Sequence, residues 1–364
     1  MNFKGPFRRR NGVLAGMNGT DAVEGVDLER LTDWMDDHDL AAGPILDIDL
    51  LTGGTQNILM RFSRGGQEYV LRRPPVHKRD NSDETMRREA RVLAALSSSS
   101  VPHPALIASC GDIDVLGAAF YLMEPINGLN PTVELPAALR QEPTKRFEFG
   151  LAVADGASSI AAVDYVSVGL SDLGNPQGFL ERQVERWRNQ LDSYSTLDGY
   201  AAREIPHVQR VADWLDTNRP ASSCPGLVHG DYHLANVMCA PDRPALAAII
   251  DWELTTIGDP LLDLGWLLAT WPDENGQTIT ATDPPRPWQG FPRRHDLVQR
   301  YAERSSRDLS CVVWYEVLAC YKLGIILEGT HARANAGLAP REIGDRLHAS
   351  ALRLFQRAVR RITS

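Results

Sequence analysis

His229-Gly230-Asp231-Tyr232-His233-Leu234-Ala235-Asn236 is followed, after the apolar run Leu246–Ile250, by Asp251-Trp252-Glu253. Three oxygen-bearing side chains thus recur at fixed spacings: Asp231, Asn236 five residues on, and Asp251 fifteen further. Phosphoryl transfer uses such a set. One carboxylate orients an acceptor hydroxyl and takes its proton, while an amide oxygen and a second carboxylate hold Mg2+ against phosphate oxygens. Hard oxygen ligands suit magnesium. Asp231 is therefore the expected base, with Asn236 and Asp251 the expected metal ligands. Taken singly, Asp231 reads as a turn or helix cap and His233 as a solvated loop residue. His229 is expected to hold the loop backbone.

Outward from this stretch, the chain changes character near Gly128. Upstream, Ile45–Leu51, Asn57–Phe62 and Glu68–Arg73 read as strands separated by Gly53-Gly54 and Gly65-Gly66 turns. Leu106–Ser109 and Ala118–Met123 read as two more. Apolar residues at helical spacing give one helix from Asp27, through Leu28, Leu31, Trp34 and Met35, and another over Ser82–Leu96. Residues 1–26 are rich in Gly, Asn and Arg, lack periodicity, and read as a mobile tail. Downstream, helical patterns cover Thr144–Val163, Gln177–Leu191, Glu204–Thr217 and most of the chain from Asp259, with a loop at 284–292. The expectation is an α+β fold, with a β-rich lobe over 27–125 and a larger helical lobe over 126–364.

HGDYHLAN followed by IIDWE resembles the aminoglycoside phosphotransferase and choline kinase superfamily, relatives of the protein kinases, and Gly258-Asp259-Pro260-Leu261-Leu262-Asp263-Leu264 resembles its GDPxxDL segment. The resemblance covers roughly residues 27–360. It implies a bilobal protein-kinase-like fold and a bracing role for Asp263 under the catalytic loop. It makes Gly53, Gly54, Thr55 and Asn57 the turn that covers the nucleotide, and Glu89 the helix glutamate that pairs with a phosphate-binding cation. That cation is usually lysine. Only four lysines occur in the chain, and strand alternation instead puts Arg72 in the lysine's place, beside Val70 for adenine contact. Backbone groups of Glu124 and Ile126, in the segment resembling the hinge, are expected to meet adenine. VLRRPP, MRREARVLAAL and RQVERW are similar to the branch whose kinase-like domain is fused to some acyl-CoA dehydrogenases. Ala161 stands where that branch carries histidine.

Composition bounds the rest. The chain has 364 residues, 43% hydrophobic and 23% charged, as in a globular protein, and 38 basic against 47 acidic residues give a net charge of −9. That balance argues against nucleic acid as a partner. Five cysteines without a CxxC pair read as reduced thiols. With neither a signal-peptide core nor an apolar run long enough to span a membrane, the expectation is a cytoplasmic protein without membrane contact. The implied activity is that of a small-molecule kinase, using ATP (GTP remains open) and Mg2+ to phosphorylate a hydroxyl. Asp273 and Glu274, with Trp266, Trp271, Trp288 and Trp314, are candidate acceptor contacts, though the tryptophans also read as core. The alternative is a non-catalytic nucleotide-binding scaffold or sensor, for which Arg72 and Ala161 speak. A protein kinase fits less well, since HGD replaces HRD and no APE stretch follows.

Overall fold

The structure, a computed structural model, describes residues 23–51, 57–200, 205–279 and 283–363. The chain separates into two compact units at Asn127/Gly128.

The first unit is built on a five-stranded antiparallel sheet in the order β1-β2-β3-β5-β4. Its strands are β1 (Leu46–Leu50), β2 (Ile58–Arg64), β3 (Gln67–Arg73), β4 (Leu106–Cys110) and β5 (Phe120–Met123). Gly65 and Gly66, at φ +58° and +79°, form the two-residue turn between β2 and β3. Positive φ at both positions matches the right-handed twist of the paired strands, which is why two glycines serve there. Helix α1 (Leu28–Asp37) is capped by Asp27, whose carboxylate accepts from the Glu29 and Arg30 amides. Its Leu31, Trp34 and Met35 pack with Met60, Phe62, Leu71, Phe120 and Leu122 into one core. Val26 joins that core and bridges to Val23. The expected tail through residue 26 therefore runs too far, because an apolar side chain just ahead of α1 finds a place to be buried. Helices α2 (Ser82–Leu96) and α3 (Ile113–Leu116) complete the unit.

The second unit is mainly helical: α4 (Ala137–Gln141), α5 (Pro143–Ala161), α6 (Glu181–Ser193), α7 (Val208–Thr217), α8 (Leu261–Thr270), α9 (Arg294–Arg304), α10 (Val312–Asn335) and α11 (Arg341–Thr363). Helix α10 is buried on most sides, packing against α6, α7, α8 and α11. Two helices start later than their periodicity suggests. Gly178 at φ +61° and His207 at φ +72° hold non-helical backbone ahead of α6 and α7. Two small antiparallel pairs, β6 (Gly226–Val228) with β9 (Thr256–Gly258) and β7 (Val237–Cys239) with β8 (Leu246–Ile249), carry the polar motif. Among the described residues, no helix is long and apolar enough to cross a membrane.

Candidate active site

The HGD loop leaves β6 and enters β7 through a short 3-10 turn at Leu234–Asn236. Three contacts fix its backbone. The buried Asp263 carboxylate of α8 accepts from the His229 amide at 2.7 Å and the Gly230 amide at 2.9 Å. His229 donates through Nε2 to the Ile250 carbonyl at 3.0 Å and accepts at Nδ1 from the Asp231 amide at 3.3 Å, which sets its tautomer. Asn130 donates to the Ala235 carbonyl at 2.7 Å. Gly230 sits at φ +88°, and a Cβ there would lie 2.7 Å from the Leu254 carbonyl oxygen, so a side chain is excluded by both strain and space. The bracing roles expected of His229 and Asp263 are thus visible as hydrogen bonds.

These contacts hold Asp231 buried among cations and donors. Asn236 Nδ2 donates to its carboxylate at 3.2 Å and to its carbonyl at 2.9 Å. His233 Nε2 stands 3.3 Å from its Oδ1, while Nδ1 of the same ring accepts from the Ala235 amide at 3.1 Å. His233 is therefore no solvated loop residue. Lys322 of α10 reaches the Gly230 carbonyl at 3.1 Å and lies 4.4 Å above the Trp266 ring. Burial alone would push the Asp231 carboxyl up, but His233 and the Lys322 charge outweigh it and hold the group at about 2. Conversely, burial pushes Lys322 down, against the pull of Asp231 and Asp263. Burial lowers His233 too, yet Asp231 and Asp251 bring it to a net rise.

A pH prediction follows from the signs. A carboxylate held at about 2 stays ionised until well below pH 4. His233→Ala removes the leading favourable partner and leaves burial opposed only by weaker neighbours such as Lys322. The acid limb of turnover governed by Asp231 is expected to move upward, to the ordinary carboxylate region near about 4 or beyond. A pH–rate profile of the variant reads this directly, and an unmoved acid limb would contradict the pairing.

Asn236 and Asp251 are brought together by strand register. Val237 pairs with Ile249 across β7 and β8, and the Ile250 amide donates to the Asn236 carbonyl at 2.9 Å. Asp251 follows immediately, in left-handed backbone at φ +68° and ψ +62°. Since Asn236 spends its amide nitrogen on Asp231, its amide oxygen is left for a ligand. An amide oxygen and a carboxylate are the hard donors that fit Mg2+.

In the first unit, Arg72 on β3 and Glu89 on α2 form a buried ion pair, Nε to Oε2 3.1 Å. Arg73 points to the opposite face and donates to the Pro74 and Leu116 carbonyls. Val70 is buried opposite Met123. The Glu124 amide donates to the Ala105 carbonyl at 2.9 Å, so a base is left the Glu124 carbonyl rather than its N–H. Ile126 and Asn57 are half-buried, while Gly53, Gly54 and Thr55 lie outside the described residues.

A pocket open at its mouth adjoins Asp231 and His233. Thr132, Leu234, Trp266, Thr270 and Leu323 supply much of its wall, and Asp283 its other carboxylate. Five of the six expected acceptor residues lie elsewhere. Asp273 is occupied by its own turn, accepting from the Asn275 and Gln277 amides, and Glu274 is an exposed partner of Arg293. Trp271 and Trp288 pack with Phe291, and Trp314 donates to the Leu215 carbonyl, so these three are core and only Trp266 of the four faces the pocket. Sequence reasoning passed over Lys322 and Asn130. Their part depends on tertiary packing, and scarcity of lysine was the one signal available for the former.

Residues 47–283 match the phosphotransferase enzyme family. Among curated proteins, the chain is 29% identical over 286 residues to acyl-CoA dehydrogenase family member 11 of Pongo abelii, covering 77% of this chain and 35% of that protein. The chain therefore spans about a third of the length of such relatives. Among solved structures, it is similar to a Ralstonia eutropha protein assigned as an aminoglycoside phosphotransferase, with 29% identity, a TM-score of 0.75, and coverage of 92% of this chain and 98% of that one. A thermostable mutant of aminoglycoside phosphotransferase APH(4)-Ia, in ternary complex with ADP and hygromycin B, shares 17% identity at a TM-score of 0.54, covering 89% of this chain and 98% of that one. These likenesses give the chain the α+β, kinase-like fold expected above.

Proposed function

The chain belongs to the phosphotransferase enzyme family, and we propose that it transfers the γ-phosphate of ATP, or of GTP, to a hydroxyl of a small molecule. The observation that carries this reading is the Asp231 carboxylate, kept ionised by its neighbours, oriented by Asn236, and bordering an open pocket. In this reading Asp231 orients the acceptor hydroxyl and takes its proton as the new phosphorus–oxygen bond forms and the bond from the γ-phosphorus to the β,γ-bridging oxygen breaks, releasing the nucleoside diphosphate. Asn236 and Asp251 would hold Mg2+, which when bound neutralises charge on the phosphate oxygens. Arg72, oriented by Glu89, contacts phosphate in place of the lysine. Its planar fork can bind phosphate bidentately. Lys322 supports the ionised state of Asp231 and holds the Gly230 carbonyl.

The pocket also bears on the acceptor. Its wall is largely apolar, and Asp231 and Asp283 are its carboxylates. A polycation such as an aminoglycoside calls for several convergent carboxylates, whereas an acceptor with an apolar body suits Leu234, Trp266 and Leu323. The curated relatives are named as acyl-CoA dehydrogenase family members, which favours hydroxy acids or hydroxyacyl-CoA compounds as acceptors.

Incubating the 364-residue chain with γ-labelled ATP, Mg2+ and each of four acceptor classes tests the proposal. The classes are aminoglycosides, choline-like alcohols, hydroxy acids and hydroxyacyl-CoA compounds. Label is expected in the last two. Arg72 in place of lysine favours a second reading, a nucleotide-binding scaffold. Calorimetric nucleotide binding without transfer to any acceptor would favour that reading instead.

A further inference from the structure

Helices α10 and α11 bring together three side chains that phosphoryl transfer does not use. Glu328 and His331 stand three residues apart on α10, on one face of the helix, and His348 comes from α11. One ligand atom from each residue lies within 4.8 Å of the others. Glu328 is 1% exposed, a costly place for a carboxylate without a cation. His348 Nδ1 is 2.6 Å from Glu328 Oε2, and the His331 and His348 rings stack with centroids 4.5 Å apart. Glu328 Oε1 accepts from the Tyr200 hydroxyl at 2.8 Å. His331 Nδ1 is buried without a hydrogen bond, 3.5 Å from Asp345.

We propose that Glu328, His331 and His348 bind one Zn2+ that ties α10 to α11, with water in the fourth position. Two imidazoles and one carboxylate are a donor set zinc takes, and the nitrogen donors disfavour magnesium. Tyr200 fixes the carboxylate from behind, as outer partners of metal ligands do. Half-buried His348 gives the ion a route in from solvent. Binding replaces the His348–Glu328 hydrogen bond: the proton on Nδ1 moves to Nε2 or to solvent. The 2.6 Å contact then opens to roughly 3.4 Å, the separation of two ligands at about 2.1 Å around a tetrahedral ion.

The chelator-treated chain, titrated separately with ZnCl2 and MgCl2, tests this by calorimetry and thermal unfolding. Binding of about one zinc per chain is expected, with an unfolding midpoint that rises with zinc and not with magnesium. His348→Ala and Glu328→Gln are each expected to weaken zinc binding by about 100-fold or more, ligand loss exceeding the 10–100-fold cost of losing an outer partner. Circular dichroism of each variant without metal checks that it folds. His348 is partly exposed, so His348→Ala serves if Glu328→Gln does not fold. Failure of the parent chain to bind zinc, or undiminished binding in a folded variant, overturns the assignment.

Discussion

Asp231→Asn is expected to lower turnover by roughly 10²–10⁴-fold, the usual contribution of a positioned general base, while nucleotide affinity by calorimetry stays within about twofold of the parent, since the proposed nucleotide contacts lie ahead of β2, on β3 and α2, and in the segment after β5. The substitution is nearly isosteric. An amide oxygen at 231 can still accept from Asn236, so the loop keeps much of its support while the charge and the proton acceptor disappear. The drop corresponds to about 3–5 kcal/mol of transition-state stabilisation. It is read as initial velocity with whichever acceptor the screen identifies. Unchanged turnover would remove Asp231 from the role of base, whatever the acceptor.

The largest stability effect belongs to Asp263. Its two carboxylate oxygens accept the His229 and Gly230 amides, and the residue is 1% exposed. Asp263→Ala leaves two buried N–H groups without an acceptor and also leaves Lys322 without one of its two acidic neighbours. Each stranded buried donor costs about 1–3 kcal/mol. A loss of about 3 kcal/mol translates to a fall of roughly 6–12 °C in the unfolding midpoint for a unit of this size. Turnover should fall with it even in the folded fraction, because the loop that aims Asp231 is no longer pinned. A midpoint within about 2 °C of the parent would show that the loop holds its shape without this brace.

The motif that decided the fold is legible because its parts are local. Asp231, Asn236 and Asp251 lie within twenty-one residues, and β7 and β8 join them by a short antiparallel return. Arg72 was readable from strand alternation once the family resemblance was in view, and Glu89 from the likeness of its helix to that family's. Lys322 was not, because it lies 91 residues beyond Asp231, and only the packing of α10 against α8 brings it under the loop. The Glu328–His331–His348 group was hidden although it spans only twenty-one residues: the three-residue spacing on α10 is readable, but which residue of α11 faces it depends on helix packing. The acceptor residues were misplaced because a charged turn looks alike in sequence whether its carboxylates cap their own amides, as Asp273 does, or face a ligand. The late starts of α6 and α7 reflect single residues in left-handed backbone, which hydrophobic periodicity does not register.

Asp251 holds that same left-handed backbone at φ +68°, at a cost of about 1 kcal/mol for a residue with a side chain. Glycine or asparagine would sit there more comfortably, but neither brings a negative charge. Under selection for heat resistance alone, position 251 is therefore a place where a laboratory lineage would drift toward hardier, inert descendants. Retaining the aspartate through such a campaign requires screening for product as well as for survival.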